Sequence, residues 1–251
     1  ALFLVLFSCN RKAPDKVASN DSITMKLNDF ASFKLTSDMS KLTENEKKMI
    51  ELFIEASDIM DEIFWQQAYG DKGSFLDTLK DENLLKLALI NYGPWERLND
   101  NKPFIAGTAP KPSGANYYPA DMTVEEFEKL ADTEKTGLYS LIRRNDQGEL
   151  AVIPYHIAFK DQVTRVSGLL REAAGLAEDP GLKRYLELRS RAFLNDDYLA
   201  SDLAWMDMKT NTLDFVLGPI ETYEDQLFGY KASHEAYILI KDTEWSNKLA
   251  R

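Results

Sequence analysis

The sequence predicts a helix-rich α+β fold with a few short β-strands, on three observations. Behind a capping box formed by Thr43 and Glu46, the apolar residues Met49, Ile50, Phe53, Ile54, Ile59, Met60, Ile63 and Phe64 keep helical spacing. Two runs of strand-forming residues flank the turn signal at 145–148. Three further helical stretches then follow one another over 160–207, joined by short connections.

Each element follows from local chemistry. The first helix is expected over 44–69, stopping at Gly70. A second helical stretch covers 74–90 on Leu76, Leu79, Leu84, Leu85 and Leu87. The segment 91–121 then changes texture. Pro94, Pro103, Pro110, Pro112 and Pro119 exclude a helix there. Tyr92, Trp95, Phe104, Ile105, Tyr117 and Tyr118 make it too apolar for a disordered linker, so it reads as an ordered loop. A second capping box, Thr123 with Glu126, opens a short helix through Leu130. A β-hairpin is expected with strands 140–144 and 149–155. Helices are expected at 160–177, 180–194 and 197–207, the middle one with Pro180 in its first turn. Strands at 212–217 and 235–241 flank a polar, aromatic segment.

The 251 residues carry a net charge of −11, with 30 basic against 41 acidic side chains. Nucleic-acid binding is not expected, because phosphate contacts need clustered Lys and Arg, and here the basic residues are interspersed with acids. The one cysteine, Cys9, excludes an intrachain disulfide framework and a cysteine-rich zinc site.

Residues 1–9 read as the end of a lipoprotein signal peptide. The apolar run 1–7 is too short to span a bilayer, and Leu6-Phe7-Ser8-Cys9 resembles a lipobox, with Cys9 as the lipidated residue. Residues 10–40 read as a tether and N-terminal segment, and 41–251 as one lobe. A lipid anchor at Cys9 implies membrane attachment and residence in the bacterial cell envelope.

Two histidines are present, His156 and His234. His234-Glu235 invites a metallopeptidase reading. That motif needs a second histidine one helical turn on, where Ile238 and Leu239 stand instead. His234 is therefore expected to be a strand-edge or partly buried residue, and His156 a structural one. Behind Gly218-Pro219, read as a turn at a strand end, come Glu221, Tyr223, Glu224 and Asp225. Such carboxylates could bind a metal, act as acid or base, pair with a substrate ammonium, or form a solvated turn.

Four stretches resemble, in order, the N-terminal part of bacterial dipeptidyl peptidase III-like proteins: "LTENEKKMIELFIEASDIMDEIFWQQAYGD", "INYGPWERLNDNKPFI", "KPSGANYYPADMTVEEFE" and "GPIETYEDQLFGYKASHEAYILI". The resemblance implies one lobe of a two-lobed zinc exopeptidase that releases dipeptides from the amino terminus of oligopeptides. The family's His-Glu-x-x-Gly-His motif lies in the second lobe and is absent from this sequence, so no catalytic residue and no zinc ligand is assigned here. The chain is expected to be the first lobe, truncated before the zinc-bearing one and inactive by itself. Glu221-Thr222-Tyr223 matches the family's cleft-facing Glu-x-Tyr element. By that match Glu221 meets the substrate's ammonium and Tyr223 contacts the peptide. The family carries a phenylalanine where His234 stands. The alternative is a non-catalytic peptide-binding or structural lipoprotein.

Overall fold

The computed structural model describes residues 20–249, and Cys9 with its lipobox lies outside them. Within them the chain forms two compact units.

The smaller unit includes residues 20–32 and 76–111. It holds the helices α1 (Asn20–Asn28) and α4 (Glu82–Asn91) and the two-residue strands β1 (Trp95–Glu96) and β2 (Lys102–Pro103). Helix α1 falls in the segment read as tether. The helix expected over 74–90 is interrupted: α3 (Lys72–Leu76) ends early, and Asp81 starts α4 afresh by accepting the Leu84 amide at 2.9 Å. The chain leaves α4 through Tyr92, whose φ of 53° is left-handed. Asn91, buried, holds the turn that follows. It accepts the Arg97 amide on its side chain at 2.9 Å, and its carbonyl accepts Arg97 Nε at 3.0 Å. Trp95 Nε1 donates to the Ala109 carbonyl at 2.9 Å. The proline-rich stretch is therefore an ordered loop, as its composition predicts.

The larger unit carries the core. Helix α2 (Glu44–Ala68) begins on the predicted capping box, with Thr43 and Glu46 bonding reciprocally at 2.9 and 3.1 Å. It packs on α7 (Lys160–Leu176), which packs on α8 (Pro180–Ala192), which packs on α9 (Leu199–Asp207). Helix α5 (Val124–Lys129) begins on the second capping box. The predicted hairpin is β3 (Ser140–Arg144) with β4 (Leu150–Pro154), in antiparallel register Ile142 to Val152. Tyr155 belongs instead to α6 (Tyr155–Ala158), a single turn leading into α7.

The second hairpin pairs β5 (Leu213–Glu221) with β6 (Ser233–Ile240). Alternation turns Leu213, Phe215 and Leu217 into the core, where Phe215 stacks on Phe53 of α2 at 4.1 Å between ring centroids. The strand is longer than expected: Gly218 and Pro219 lie inside β5 rather than in a turn. Gly218 takes φ +135°, and a Cβ there would meet Arg189, Tyr198 and Phe193 at 3.4 to 3.7 Å. A bulge between Pro219 and Glu221 puts Glu221 opposite Ser233. A last helix, α10 (Thr243–Leu249), was not anticipated by the sequence pattern.

Candidate functional site

The two residues predicted to bind substrate sit where β5 ends. Glu221 closes the strand and is exposed, and Tyr223 is 80% exposed. In the register of the hairpin, Gly218 lies opposite Glu235 and Val216 opposite Tyr237. Tyr237 donates its hydroxyl to Glu235 Oε2 at 2.8 Å. Partial burial holds the Glu235 carboxyl above the usual glutamate range. The Tyr237 hydrogen bond opposes that shift, and the negative charge of Glu221 adds to it. The bulge thus brings together two carboxylates that attract a cation, with Tyr237 fixing one of them. Sequence reasoning named Glu221 and Tyr223 but missed Glu235 as a partner. The available signal was its even offset from Tyr237, which puts the two on one face of a strand.

The loop carrying Tyr223 is held from beneath. Asp225, buried, accepts the amides of Leu227 and Phe228 on Oδ1 at 3.2 Å each, and those of Tyr230 and Lys231 on Oδ2 at 2.9 and 3.1 Å. Tyr118 adds its hydroxyl at 2.7 Å. Glu224 is buried as well. The predicted carboxylate group therefore divides in two: Glu221 faces outward, while Asp225 organises its own loop. Lys231, fully buried, donates to the carbonyls of Lys135 and Gly137 and to Ser140 Oγ, each at 2.8 Å. Burial pushes its amine down to about 8, against the opposing charges of Asp225 and Glu134. Phe228 and Tyr230 extend the anchoring by stacking on Phe127 of α5 at 4.5 and 6.3 Å.

The histidines stand apart from this surface. His234 lies on an edge strand, since β5 and β6 form a two-stranded sheet, but it is fully rather than partly buried. Its ring packs between Tyr155 at 5.2 Å and Phe159 at 5.6 Å, and neither nitrogen has a hydrogen-bond partner. Burial pushes its pKa down to about 3, so the imidazole is neutral at physiological pH. Gln67 of α2 clips the strand here, accepting the His234 amide at 2.9 Å and donating to the Ala232 carbonyl at 3.2 Å. His156 donates its amide to Asp196 Oδ2 at 3.1 Å, and its Nδ1 lies 2.7 Å from the same oxygen. Among the described residues no group of three or more His, Cys, Asp or Glu side chains could hold a metal ion.

The fold is a helix-rich α+β lobe, and comparison with known proteins gives its class. The solved dipeptidyl peptidase III of Caldithrix abyssi superposes with a TM-score of 0.86 and 44% identity over 90% of this chain. That of Corallococcus sp. strain EGB superposes with a TM-score of 0.85 and 36% identity over 92%. The chain belongs to the dipeptidyl peptidase III family. It spans 45% of the length of each of these two structures. The Arabidopsis thaliana protein named Nudix hydrolase 3 is 31% identical over 88% of this chain, which spans 36% of that protein. Most of the Arabidopsis protein therefore lies outside the match. No family model matches the sequence.

Proposed function

We propose that this chain is the substrate-binding lobe of a zinc-dependent dipeptidyl peptidase that releases dipeptides from the amino terminus of oligopeptides. The observation that carries the reading is the bulged end of β5, where Glu221 lies within electrostatic reach of Glu235 and Tyr223 stands 80% exposed beside them. A peptide's terminal ammonium is a compact cation with three donors, and a carboxylate pair at a fixed strand end suits it in charge and geometry. Pairing the ammonium with Glu221 sets the register of the peptide. Tyr223 supplies an aromatic surface and a hydroxyl for the residues that follow. The rigid loop under Tyr223 keeps that geometry formed before the peptide arrives, which lowers the ordering cost of binding. Zinc enters this reading through the family. The described residues form no donor group for it, and no residue here is assigned to hold it or to act with it.

Lipid attachment at Cys9, with residence in the bacterial cell envelope, belongs to the same proposal and rests on the lipobox-like sequence. Mass spectrometry of the protein expressed from its gene in a bacterial host checks it: a diacylglyceryl adduct on Cys9 supports the anchor, and an unmodified thiol excludes it.

Calorimetric titration tests the binding role. A free-amino oligopeptide should bind, the same peptide acetylated at its amino terminus should bind at least tenfold more weakly, and Glu221→Gln should remove that difference. Equal affinity for the two peptides would sink the assignment of Glu221.

A further inference from the structure

Arg143 and Arg144 are neighbours on β3 with opposite electrostatic surroundings. Arg144 reaches two carboxylates, Asp121 and Glu126, each at 2.8 Å. Arg143 reaches none. Its guanidinium donates only to carbonyls: Nη1 to Tyr117 at 3.1 Å and Ile142 at 2.8 Å, and Nη2 to Asn116 at 2.8 Å. Burial draws its pKa below the usual arginine value. A guanidinium carries five N–H donors, so three bonds leave two uncommitted, the Nε–H and one Nη2–H. Those two form the fork that receives a carboxylate bidentately.

Arg143 also lines a cleft of about 720 Å³, none of whose lining residues belongs to the β5–β6 surface. Glu62 of α2 lines the same cleft. Its side chain has no hydrogen bond or ion pair among the described residues, so the cleft holds one uncommitted carboxylate and one half-committed guanidinium. Leu141, Ile153, Ala158 and Phe159 give the cleft an apolar wall. Its other charged lining residues are already engaged, Asp71 with Ser74 and Lys72 with Asp61 at 3.2 Å.

We propose that this cleft is a second ligand site, taking a free α-amino acid with an apolar side chain. The carboxylate of the ligand docks on the open edge of Arg143, its ammonium pairs with Glu62, and its side chain lies on the apolar wall. The volume suits a small molecule of that size. A zwitterion balances both charges, whereas a simple anion leaves Glu62 facing it.

The test is calorimetric titration of the full chain with L-leucine, leucinamide, N-acetylleucine and inorganic phosphate. Leucine should bind at one saturable site. Leucinamide, lacking the carboxylate, should bind at least tenfold more weakly, and N-acetylleucine, lacking the ammonium, at least fivefold more weakly. Arg143→Lys should reproduce the first loss and Glu62→Gln the second, while Glu221→Gln leaves leucine binding unchanged. If Arg143→Lys does not fold, leucinamide and Glu62→Gln carry the test alone. Tighter binding of phosphate than of leucine, equal binding of leucine and leucinamide, or no saturable binding would each overturn the proposal. Loss of leucine binding in Glu221→Gln would also overturn it, by locating the ligand at the hairpin.

Discussion

Tyr118 donates its hydroxyl to Asp225 Oδ2 at 2.7 Å across 107 residues of sequence, and both side chains are buried. Burial, with the hydrogen bond to Asp225, raises the Tyr118 pKa, so the phenol stays neutral and remains a donor. Asp225 needs that donor and the four loop amides, because a buried carboxylate is tolerated only when its lone pairs are satisfied. Asp225→Asn, which loses the charge and acceptor capacity, should therefore cost about 2–4 kcal/mol and loosen 226–231, while Tyr118→Phe should cost about 1–2 kcal/mol. Urea denaturation gives the stabilities, and amide exchange across the loop gives the local effect. Unchanged exchange in Asp225→Asn would contradict the anchoring role.

Gly218 illustrates a backbone constraint in the middle of a strand. Its φ of +135° is one that residues with a Cβ rarely adopt, although a Cβ there would meet Arg189, Tyr198 and Phe193 only at van der Waals distance. Gly218→Ala should destabilise the chain by about 1–3 kcal/mol, through backbone strain at this φ. Thermal unfolding reads this directly. A melting temperature within a degree of the parent would show that the hairpin adapts.

His234 sets an acid sensitivity. Its folded pKa is about 3, while an unfolded histidine titrates near 6.5. Below about 6.5 the unfolded chain takes up a proton that the folded chain refuses, so stability falls as pH drops from about 6.5 towards 3. His234→Phe removes both the titration and the two unpartnered nitrogens. It should add about 1–2 kcal/mol at neutral pH and flatten the stability profile between pH 6.5 and 4. Denaturation midpoints at three pH values for both proteins decide the matter, and parallel profiles would refute it.

Glu235 should make peptide binding depend on pH. Its carboxyl is held above the usual glutamate range, chiefly by burial. As pH falls through that raised value, Glu235 takes up a proton and the attraction for an ammonium weakens. Peptide affinity should fall as pH is lowered in the parent and change less in Glu235→Gln. Titrations at pH 7.5 and 5.5 measure it. An equal drop in both proteins would assign the effect elsewhere.

The chemistry that starts and stops helices is local, and it was legible. The capping boxes at Thr43 and Thr123, the proline at the start of α8 and the hairpin over 140–154 all form as read, because each is decided by residues within a few positions of one another. The interrupted helix before Tyr92 was not legible in the apolar repeat, since Asp81 as a cap competes with continuation of the pattern.

For the site, the sequence by itself placed Glu221 and Tyr223 near the end of a strand, though β5 runs on through Glu221 where a turn at Gly218-Pro219 was expected. Only the tertiary structure decided which carboxylates face solvent. Asp225 turned inward because amides of its own loop and a hydroxyl 107 residues away converge on it, and no local pattern encodes that convergence. Glu235 joined Glu221 because a bulge altered the register of two strands, and register is set by pairing between distant segments. His234 went to full burial for a related reason: the face of β6 that packs on α2, Tyr155 and Phe159 is chosen by the core those elements share, not by the polarity of the residue.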